Sequence, residues 1–307
     1  MNKAQPLGID GLVVVEKEAG WTSHDVVARC RRIYGQRRIG HAGTLDPDAT
    51  GVLLVGLGRA TRLLRYLTDR EKSYTCEVVL GQTTSTLDAS GEVTGTFDVD
   101  YDDAALEAAV ASLTGAILQI PPMVSAIKID GKRLHELARQ GIEVERPARP
   151  VTVSNLVVTR TEDLAVLNMD ATVSSGTYIR VLAQDLGTAL GSGGHLRNLR
   201  RYRSGSFSER EARTLDQLTA DAETARAQGA IPHSVLTPAQ ALAHLDQTSI
   251  SREDAVHVSR GRALDRVTIG ANGPGPYAIV DGGGNLLAVY EATETDRIVP
   301  SVVLAAQ

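Results

Sequence analysis

The strongest constraint on the fold is a strict alternation of apolar and polar residues over positions 167–174. Apolar side chains run from Leu167 to Val173 on odd positions, and polar side chains run from Asn168 to Ser174 on even positions. Successive side chains of a β-strand point to opposite faces, so this spacing predicts a strand with one buried face and one face toward water or a ligand. Such a strand favours an antiparallel or mixed sheet over a doubly wound parallel one.

The residues after this strand carry two candidate site residues. If the strand register continues without a bulge, Gly176, Tyr178 and Arg180 lie on its polar face. Leucines at helical spacing then follow over 182–190, and Gly191 is suited to end a helix. The register therefore predicts that Tyr178 and Arg180 share one face of the strand.

The other segments predict strands and helices in irregular alternation. Residues 12–15 (LVVV) predict a buried strand, and Thr22 with Asp25 predicts a capping box for a helix over roughly 24–34. Further elements are expected as strands at 52–57 and 74–80 and a helix near 60–67. Together they predict an α+β fold with a mixed, mainly antiparallel sheet flanked by helices.

The chain changes character near residue 245. The stretch 216–244 is rich in alanine and has helical spacing, whereas PYAIV, DGGGN and LLAVY further on predict a hairpin. We predict a main domain over residues 1–244 and a small β-rich domain over residues 245–307. Because so short a segment is small for a domain, we expect it to pack on the main domain.

Composition excludes several classes of protein. The 307 residues are 42% hydrophobic and 22% charged, which is typical of globular proteins and excludes disordered and collagen-like chains. No apolar run approaches the roughly 20 residues that a membrane span needs, and the first ten residues lack the apolar core of a signal peptide. Cys30 and Cys76 form no CxxC motif, so we expect neither a disulfide framework nor a thiolate zinc site. We therefore expect a soluble cytoplasmic protein.

Charge is distributed unevenly along the chain. The formal net charge is −5, yet 27 of the 32 basic residues are arginine. Arginines cluster without any acidic residue in three segments, 29–38, 59–65 and 195–203, while acidic residues gather in 98–107 and 281–296. The guanidinium group suits phosphate, so these clusters indicate a nucleic-acid footprint. The alternative for each cluster is a solvated helix face.

No segment has the full set of residues for a metal or nucleotide site. Gly56-x-Gly58-x-x-Thr61 resembles a dinucleotide fingerprint, but its third position is threonine and no regular βαβ series surrounds it. The seven histidines are scattered, with no two at metal-ligand spacing. We therefore expect no metal and no cofactor.

The segment GHAGTLDPDATG (40–51) is the main candidate for chemistry. Pro47 pushes Asp46 out of the helical region, and the glycines permit close backbone approach. An aspartate on a shaped loop beside His41 and Thr44 is a candidate catalytic carboxylate. The alternative is an Asx turn in which Asp46 caps its own backbone.

This segment resembles the GHxGTLDPxAxG motif of the bacterial tRNA pseudouridine-55 synthases, the TruB family. Further blocks occur in the family's order, and the likeness weakens after about residue 215. They are LVVVEKEAGWTSHDVV, GVLLVGLGRATRLL, KSYTCEVVLG, QIPPMVSAIKIDGKRLHELARQG, SGTYIRVLAQDLG and HLRNLRRYRSGSFS. The resemblance implies the pseudouridine-synthase type of α+β fold with a PUA-like C-terminal domain.

The resemblance also implies a set of site residues. Asp46 would be the catalytic aspartate, Arg180 its partner, and Tyr178 a tyrosine close to the target base. We add five candidate substrate-binding residues: Tyr74, which would stack on the base, His41, which would help to displace the nucleotide, Leu199, which would pack against the pocket, and Arg59 and Lys17. For Tyr74, the alternative is a tyrosine of the hydrophobic core.

The implied reaction converts uridine to pseudouridine at position 55 in the T loop of tRNA by base flipping. It breaks the N1–C1′ bond and forms a C5–C1′ bond, so it needs no redox cofactor. The implied partner is the T-stem-loop of tRNA, with no membrane and no obligate protein partner, and the small domain either binds RNA or serves as a docking module. Two rival hypotheses are a non-catalytic RNA-binding or RNA-folding protein and a hydrolase that uses Asp46 as a nucleophile.

Overall fold

The structure is a computed structural model of the chain. It describes residues 7–304, apart from residues 126, 127, 130, 135, 136, 138, 139, 268 and 272, and it describes only the backbone of residues 128, 129, 132 and 133. The chain forms two compact units. The first unit comprises Met1–Pro47, Gly51–Thr68 and Ser206–Gln307, and the second unit comprises Asp48–Thr50 and Asp69–Gly205. The domain boundary predicted near residue 245 stays a prediction.

Most of the described strands belong to one large sheet and one small sheet. In chain order they are β1 (Gly11–Lys17), β2 (Ile39–Ala42), β3 (Thr50–Leu57), β4 (Lys72–Leu80), β5 (Gln82–Thr84), β6 (Val93–Thr96), β7 (Gly115–Gln119), β8 (Lys128–Ile129), β9 (Lys132–Arg133), β10 (Arg149–Arg160), β11 (Val166–Val173), β12 (Gly194–Ser204), β13 (Phe207–Ser208), β14 (Asp246–Ser249), β15 (Leu264–Asp265), β16 (Tyr277–Val280), β17 (Leu286–Ala292) and β18 (Arg297–Val303).

The described helices lie between the strands along the chain. They are α1 (Ser23–Tyr34), α2 (Arg65–Thr68), α3 (Asp103–Ser112), α4 (Ile179–Ala189), α5 (Leu215–Gln228), α6 (Pro238–Ala241) and α7 (Arg252–Ser259), together with a 3₁₀ helix at Gly58–Leu63. No helix among the described residues has the length and apolar character that crossing a membrane requires.

In the first unit, β3 pairs antiparallel with both β1 and β2. The predicted capping box is confirmed: the Thr22 hydroxyl accepts a hydrogen bond from the Asp25 backbone N–H, and the Asp25 carboxylate accepts one from the Thr22 N–H. Helix α1 therefore begins where the sequence predicts and packs against α5. The helix expected near 60–67 is instead a 3₁₀ helix followed by the single turn α2.

In the second unit, five antiparallel strands follow the order β12-β4-β11-β10-β7. The strand predicted from the alternation over 167–174 is confirmed as β11, and its apolar residues Leu167, Met169, Ala171 and Val173 are buried. Helix α4 packs against β4 and β12. The expected α+β fold with a mainly antiparallel sheet is therefore confirmed.

The C-terminal strands form a sheet in the order β14-β16-β17-β18-β15. The predicted hairpin is confirmed by the antiparallel pairing of β16 with β17. One face of this sheet has its own core around Tyr277 and Tyr290, whereas Val289 and Val302 join a core that also contains Leu12 of β1. The C-terminal segment was expected to pack on the main domain, and it shares this core with Leu12 of β1.

Candidate active site

Asp46 lies half-buried on the loop that joins β2 to β3. The residue before it is fixed by α1, because the Ser23 hydroxyl accepts a hydrogen bond from the Leu45 N–H at 3.0 Å and donates one to the Leu45 carbonyl at 3.2 Å. Both Ser23 and Leu45 are buried. The loop is thus anchored to the first turn of α1 directly beside the predicted catalytic carboxylate.

The residue after Asp46 is fixed from the opposite side. The carbonyl of Pro47 accepts hydrogen bonds from the Lys17 Nζ atom at 2.8 Å and from the Gly20 N–H at 3.0 Å. Lys17 is fully buried, so its ammonium group depends on such carbonyl acceptors to offset the loss of water. The described contacts of Lys17 therefore hold the loop, and its predicted role in substrate binding stays a prediction.

His41 lies on β2 at the start of the same motif. Its ring meets the ring of His24 on α1 edge to face, with centroids 5.4 Å apart. The side chain is half-buried. Its predicted part in displacing the target nucleotide stays a prediction.

Tyr178 and Arg180 lie at the start of α4, not on a strand, so the prediction from strand register was wrong. Strand β11 ends at Val173, and Gly176 has a φ of +87°, which is outside the strand region and suits glycine. The turn redirects the chain, and helix α4 begins at Ile179 with Tyr178 as its N-cap residue.

Arg180 is buried, and its guanidinium is held by the second unit. Its Nη1 donates to the carbonyl of Thr86 and its Nη2 to the carbonyl of Val124, both at 2.9 Å. The carboxylate of Asp88 lies 3.7 Å from Nη1. These contacts compensate a cation that is only 5% exposed and fix its orientation.

Tyr74 lies on β4, between β11 and β12, and is 7% exposed. Lys72 is two residues earlier and points to the same face of the strand. Burial, together with repulsion from nearby Arg201, lowers the pKa of Lys72 to about 8. Its Nζ donates to the Arg70 carbonyl at 2.8 Å. Lys72 was not among the predicted residues, because it lies two positions before the strand expected at 74–80, whereas the observed strand begins at Lys72 itself.

Leu199 occupies an irregularity in β12. The register with β4 shifts between Arg197 and Arg200, and Asn198 has a φ of +56°, a conformation that asparagine tolerates better than most residues. The bulge is braced by Glu77, which accepts hydrogen bonds from Arg197 Nε at 2.7 Å and Asn198 Nδ2 at 3.0 Å. Leu199 itself is buried, and its predicted packing against the pocket stays a prediction.

The arginines of the 59–65 cluster contact the C-terminal sheet. Arg59 Nη1 donates to the carbonyl of Leu304, Arg62 Nη1 donates to the carbonyl of Val303, and Arg65 Nη2 donates to the carboxylate of Glu291. Arg59 also pairs with Asp10 at 2.7 Å. The prediction that Arg59 binds substrate stays a prediction, and the described contacts of its guanidinium are within the protein.

Across the described part of the chain, no three His, Cys, Asp or Glu residues are arranged to hold a metal ion. The candidate residues fall in both units: Asp46 and His41 belong to the first unit, and Tyr74, Tyr178, Arg180 and Leu199 belong to the second.

The sequence matches known protein families along most of its length. Residues 31–179 match the model of the TruB family pseudouridylate synthase N-terminal domain, and residues 180–243 match that of the tRNA pseudouridylate synthase B C-terminal domain. A protein named tRNA pseudouridine synthase B from Rhodococcus jostii (strain RHA1) is 46% identical over 304 residues, which span 96% of this chain and 93% of that protein. The chain belongs to the TruB family. A second TruB relative, from Thermobifida fusca (strain YX), is 54% identical over 220 residues, or 69% of this chain and 75% of its own.

The chain is also similar in fold to chains of solved structures. A chain in an H/ACA RNP bound to a substrate RNA containing 2′-deoxyuridine matches with a TM-score of 0.73 and 26% identity, covering 96% of this chain and 85% of that chain. A chain of a Cbf5-Nop10-Gar1 complex matches with a TM-score of 0.75 and 26% identity, covering 98% and 86% respectively.

Proposed function

We propose that this chain converts uridine to pseudouridine at position 55 in the T loop of tRNA, with Asp46 as the catalytic carboxylate. The observation that carries the proposal is the loop that presents Asp46, fixed through Leu45 on one side and Pro47 on the other. Membership of the TruB family supports the reaction class, since the relatives are named for tRNA pseudouridine synthesis. Position 55 rests on the resemblance of the motif that contains Asp46.

The proposed reaction is an isomerisation. The bond between uracil N1 and ribose C1′ breaks, the base turns, and C5 bonds to C1′. The proton on C5 is released and N1 gains a proton, so atoms and electrons balance without an oxidant or a reductant. The chemistry therefore requires a group that acts on the base or the ribose, and it requires no cofactor.

An ionised aspartate suits each possible route, because attack on the base, attack on the ribose and removal of a ribose proton all need an electron pair on the carboxylate. We propose that Arg180 is the partner of Asp46, because a nearby guanidinium favours the charged carboxylate and holds its orientation. Tyr74 would stack on the extruded base, and Tyr178 would contact the same base. His41 and Leu199 would line the space that the nucleotide enters.

The substrate is a base inside a folded RNA loop, so the enzyme has to extract it. Extrusion costs a few kcal/mol, and an aromatic platform offsets part of this cost. We propose that the enzyme does this as a single cytoplasmic protein without an obligate protein partner, and that its C-terminal sheet is a PUA-like module. Activity of the purified chain alone on tRNA tests the first point.

Tritium release from tRNA labelled at uracil C5 tests the function, because forming the C5–C1′ bond expels that hydrogen. The wild-type chain is expected to release tritium, and Asp46→Asn is expected to lower the rate by about 10³-fold or more, since it removes the charge and keeps the shape. The matched control is Asp48→Asn, because Asp48 is an exposed aspartate on the same loop. Its rate of tritium release should stay within about twofold of wild type.

Tritium release and tRNA binding together separate this function from the rival hypotheses. A non-catalytic RNA-binding protein would release no tritium and would be indifferent to Asp46→Asn. Undiminished tritium release by Asp46→Asn would overturn the assignment of Asp46 as the catalytic residue. An affinity for tRNA that does not change with salt would favour the hydrolase, since phosphate contacts make RNA binding salt-dependent.

A further inference from the structure

The side-chain amide of Gln119 makes two hydrogen bonds to the backbone of a single residue, Tyr178. Its Oε1 accepts from the Tyr178 N–H at 2.7 Å, and its Nε2 donates to the Tyr178 carbonyl at 3.1 Å. The N–H and the carbonyl belong to the two peptide groups on either side of the Tyr178 Cα atom. The pair of bonds therefore fixes the direction in which the Tyr178 side chain leaves the backbone.

Gln119 is itself rigidly placed. It is the last residue of β7, pairs with Arg149 of β10, and is 2% exposed. A buried amide that loses its partners pays a desolvation penalty, so the contact with Tyr178 is strongly favoured over alternatives. Gln119 thus ties the start of α4 to the sheet.

The start of α4 needs such an external partner. Tyr178 is the N-cap residue, and its side chain makes no capping hydrogen bond. Its carbonyl also accepts the first helical bond, from the Leu182 N–H at 3.1 Å. The Gln119 Oε1 accepts from the N–H of the N-cap residue, which is the bond that a Glu or Gln at N3 makes in a capping box.

The residues after Gln119 also hold Arg180. The carbonyl of Val124 accepts a hydrogen bond from Arg180 Nη2 at 2.9 Å. The segment 119–124 therefore contacts the backbone of one candidate site residue and the guanidinium of another. The sequence contained no local signal for this, because Gln119 and Tyr178 lie 59 residues apart.

We propose that Gln119 is a positioning residue for pseudouridine formation, which sets the orientation of Tyr178 against the target uracil and acts without touching the RNA. This inference rests on the proposed function. Rates fall steeply when a reacting group is misplaced by as little as about 1 Å, so loss of the amide pair should slow the chemical step more than tRNA binding.

Single-turnover tritium release at saturating tRNA, together with the tRNA Kd, tests the inference. Gln119→Met keeps the length of the side chain and removes both hydrogen bonds. We expect the rate to fall roughly 10- to 100-fold while the Kd changes by less than about threefold. A rate within about twofold of wild type would overturn the proposal.

The chain offers a matched control for loss of such an amide pair. Gln36 makes the same two bonds to the backbone of Ile9, with Oε1 accepting from the Ile9 N–H at 3.0 Å and Nε2 donating to its carbonyl at 2.9 Å. Gln36 is half-buried, so Gln36→Met should lower Tm no more than Gln119→Met does, and it should leave the single-turnover rate within about twofold of wild type. Equal rate losses in the two variants would reduce Gln119 to a structural role and contradict the proposal.

Gln119→Glu provides a second test if the methionine variant fails to fold. A carboxylate accepts from the Tyr178 N–H but cannot donate to its carbonyl, whereas a protonated carboxyl does both. The charged groups near this position include Arg149 across the ladder, Arg146, whose Nη1 donates to the Pro121 carbonyl at 3.1 Å, and Arg180, which contacts Thr86, Val124 and Asp88. The rate deficit relative to wild type should shrink as the pH falls from about 8 to about 5.5, because burial raises the pKa of a carboxyl.

If the rate deficit of Gln119→Glu is the same at both pH values, loss of the hydrogen-bond pair is not its cause. Wild-type activity is the internal reference for every variant. If wild type releases no tritium, the proposed function fails. If wild type is active and the Gln119 variants match it, only the positioning role fails.

Discussion

Lys17 and Lys72 are both buried, and their surroundings differ. The Lys17 ammonium donates to the carbonyls of Pro47 and Glu18, so the protein supplies acceptors for it. Lys72 donates to the Arg70 carbonyl, yet it lies close to the buried cation of Arg201. The folded protein therefore disfavours the charged form of Lys72.

This difference predicts how stability depends on pH. The pKa of Lys72 falls from 10.5 to about 8 on folding, first because of burial and second because of Arg201. Between these values the unfolded chain binds more protons, so the free energy of unfolding rises with pH, and the destabilising effect of the charge is fully present below about pH 8. Lys72→Met removes this titration. The free energy of unfolding of Lys72→Met minus that of wild type should therefore be larger near pH 7 than near pH 10, by on the order of 1–3 kcal/mol.

Urea unfolding of both proteins at the two pH values measures this effect. The comparison between pH values cancels any constant cost of the methionine, because that cost does not titrate. A stability difference that is independent of pH would show that Lys72 titrates normally in the folded protein.

At the scale of single elements, patterns formed by neighbouring residues predicted the structure well, whereas extending such a pattern beyond those residues did not. The alternation over 167–174 gave β11, and the capping box gave the start of α1, because each depends on neighbouring residues only. Extending the strand register to Tyr178 and Arg180 was wrong, because Gly176 turns the chain into a helix. The candidate residues were predictable as far as the motifs that contain them, whereas the contacts of Gln119 with Tyr178 and of Lys17 with Pro47 join residues distant in sequence.

The capping box of α1 should be worth a measurable part of the stability. Thr22→Ala removes the hydroxyl that caps the Asp25 N–H and should lower the free energy of unfolding by about 1 kcal/mol. Urea unfolding measures the loss, and Thr22→Ser, which keeps the hydroxyl, should restore most of it. A full loss in the serine variant would mean that packing of the threonine methyl group, rather than capping, stabilises the start of the helix.

At the scale of the whole molecule, the arginine clusters differ in their surroundings. The sequence predicted three arginine clusters as an RNA footprint, but Arg59, Arg62 and Arg65 all contact the C-terminal sheet. Arg37, in the 29–38 cluster, is exposed. Clustering in the sequence alone could not separate these cases, because the residues that receive the 59–65 arginines lie more than two hundred positions away.

Salt titration of tRNA binding should distinguish the two clusters. Arg37→Ala should weaken binding and reduce the slope of log K against log salt by roughly 1, as expected when one phosphate contact is lost. Arg62→Ala should leave the slope unchanged and should lower the stability of the protein by up to about 1 kcal/mol. A reduced slope for Arg62→Ala would return that cluster to the RNA footprint.

The order of segments in the first unit has a consequence for synthesis on the ribosome. Strand β1 is made early, but its Leu12 exchanges two backbone hydrogen bonds with Leu236, and the Glu16 N–H bonds to the Arg213 carbonyl. The five-stranded part of the second unit is complete by residue 204. The nascent chain can therefore finish that sheet while the Leu236 side of β1 still awaits its partner. The earliest strand to emerge is among the last to be completed, and during that interval its edge is open to wrong pairing.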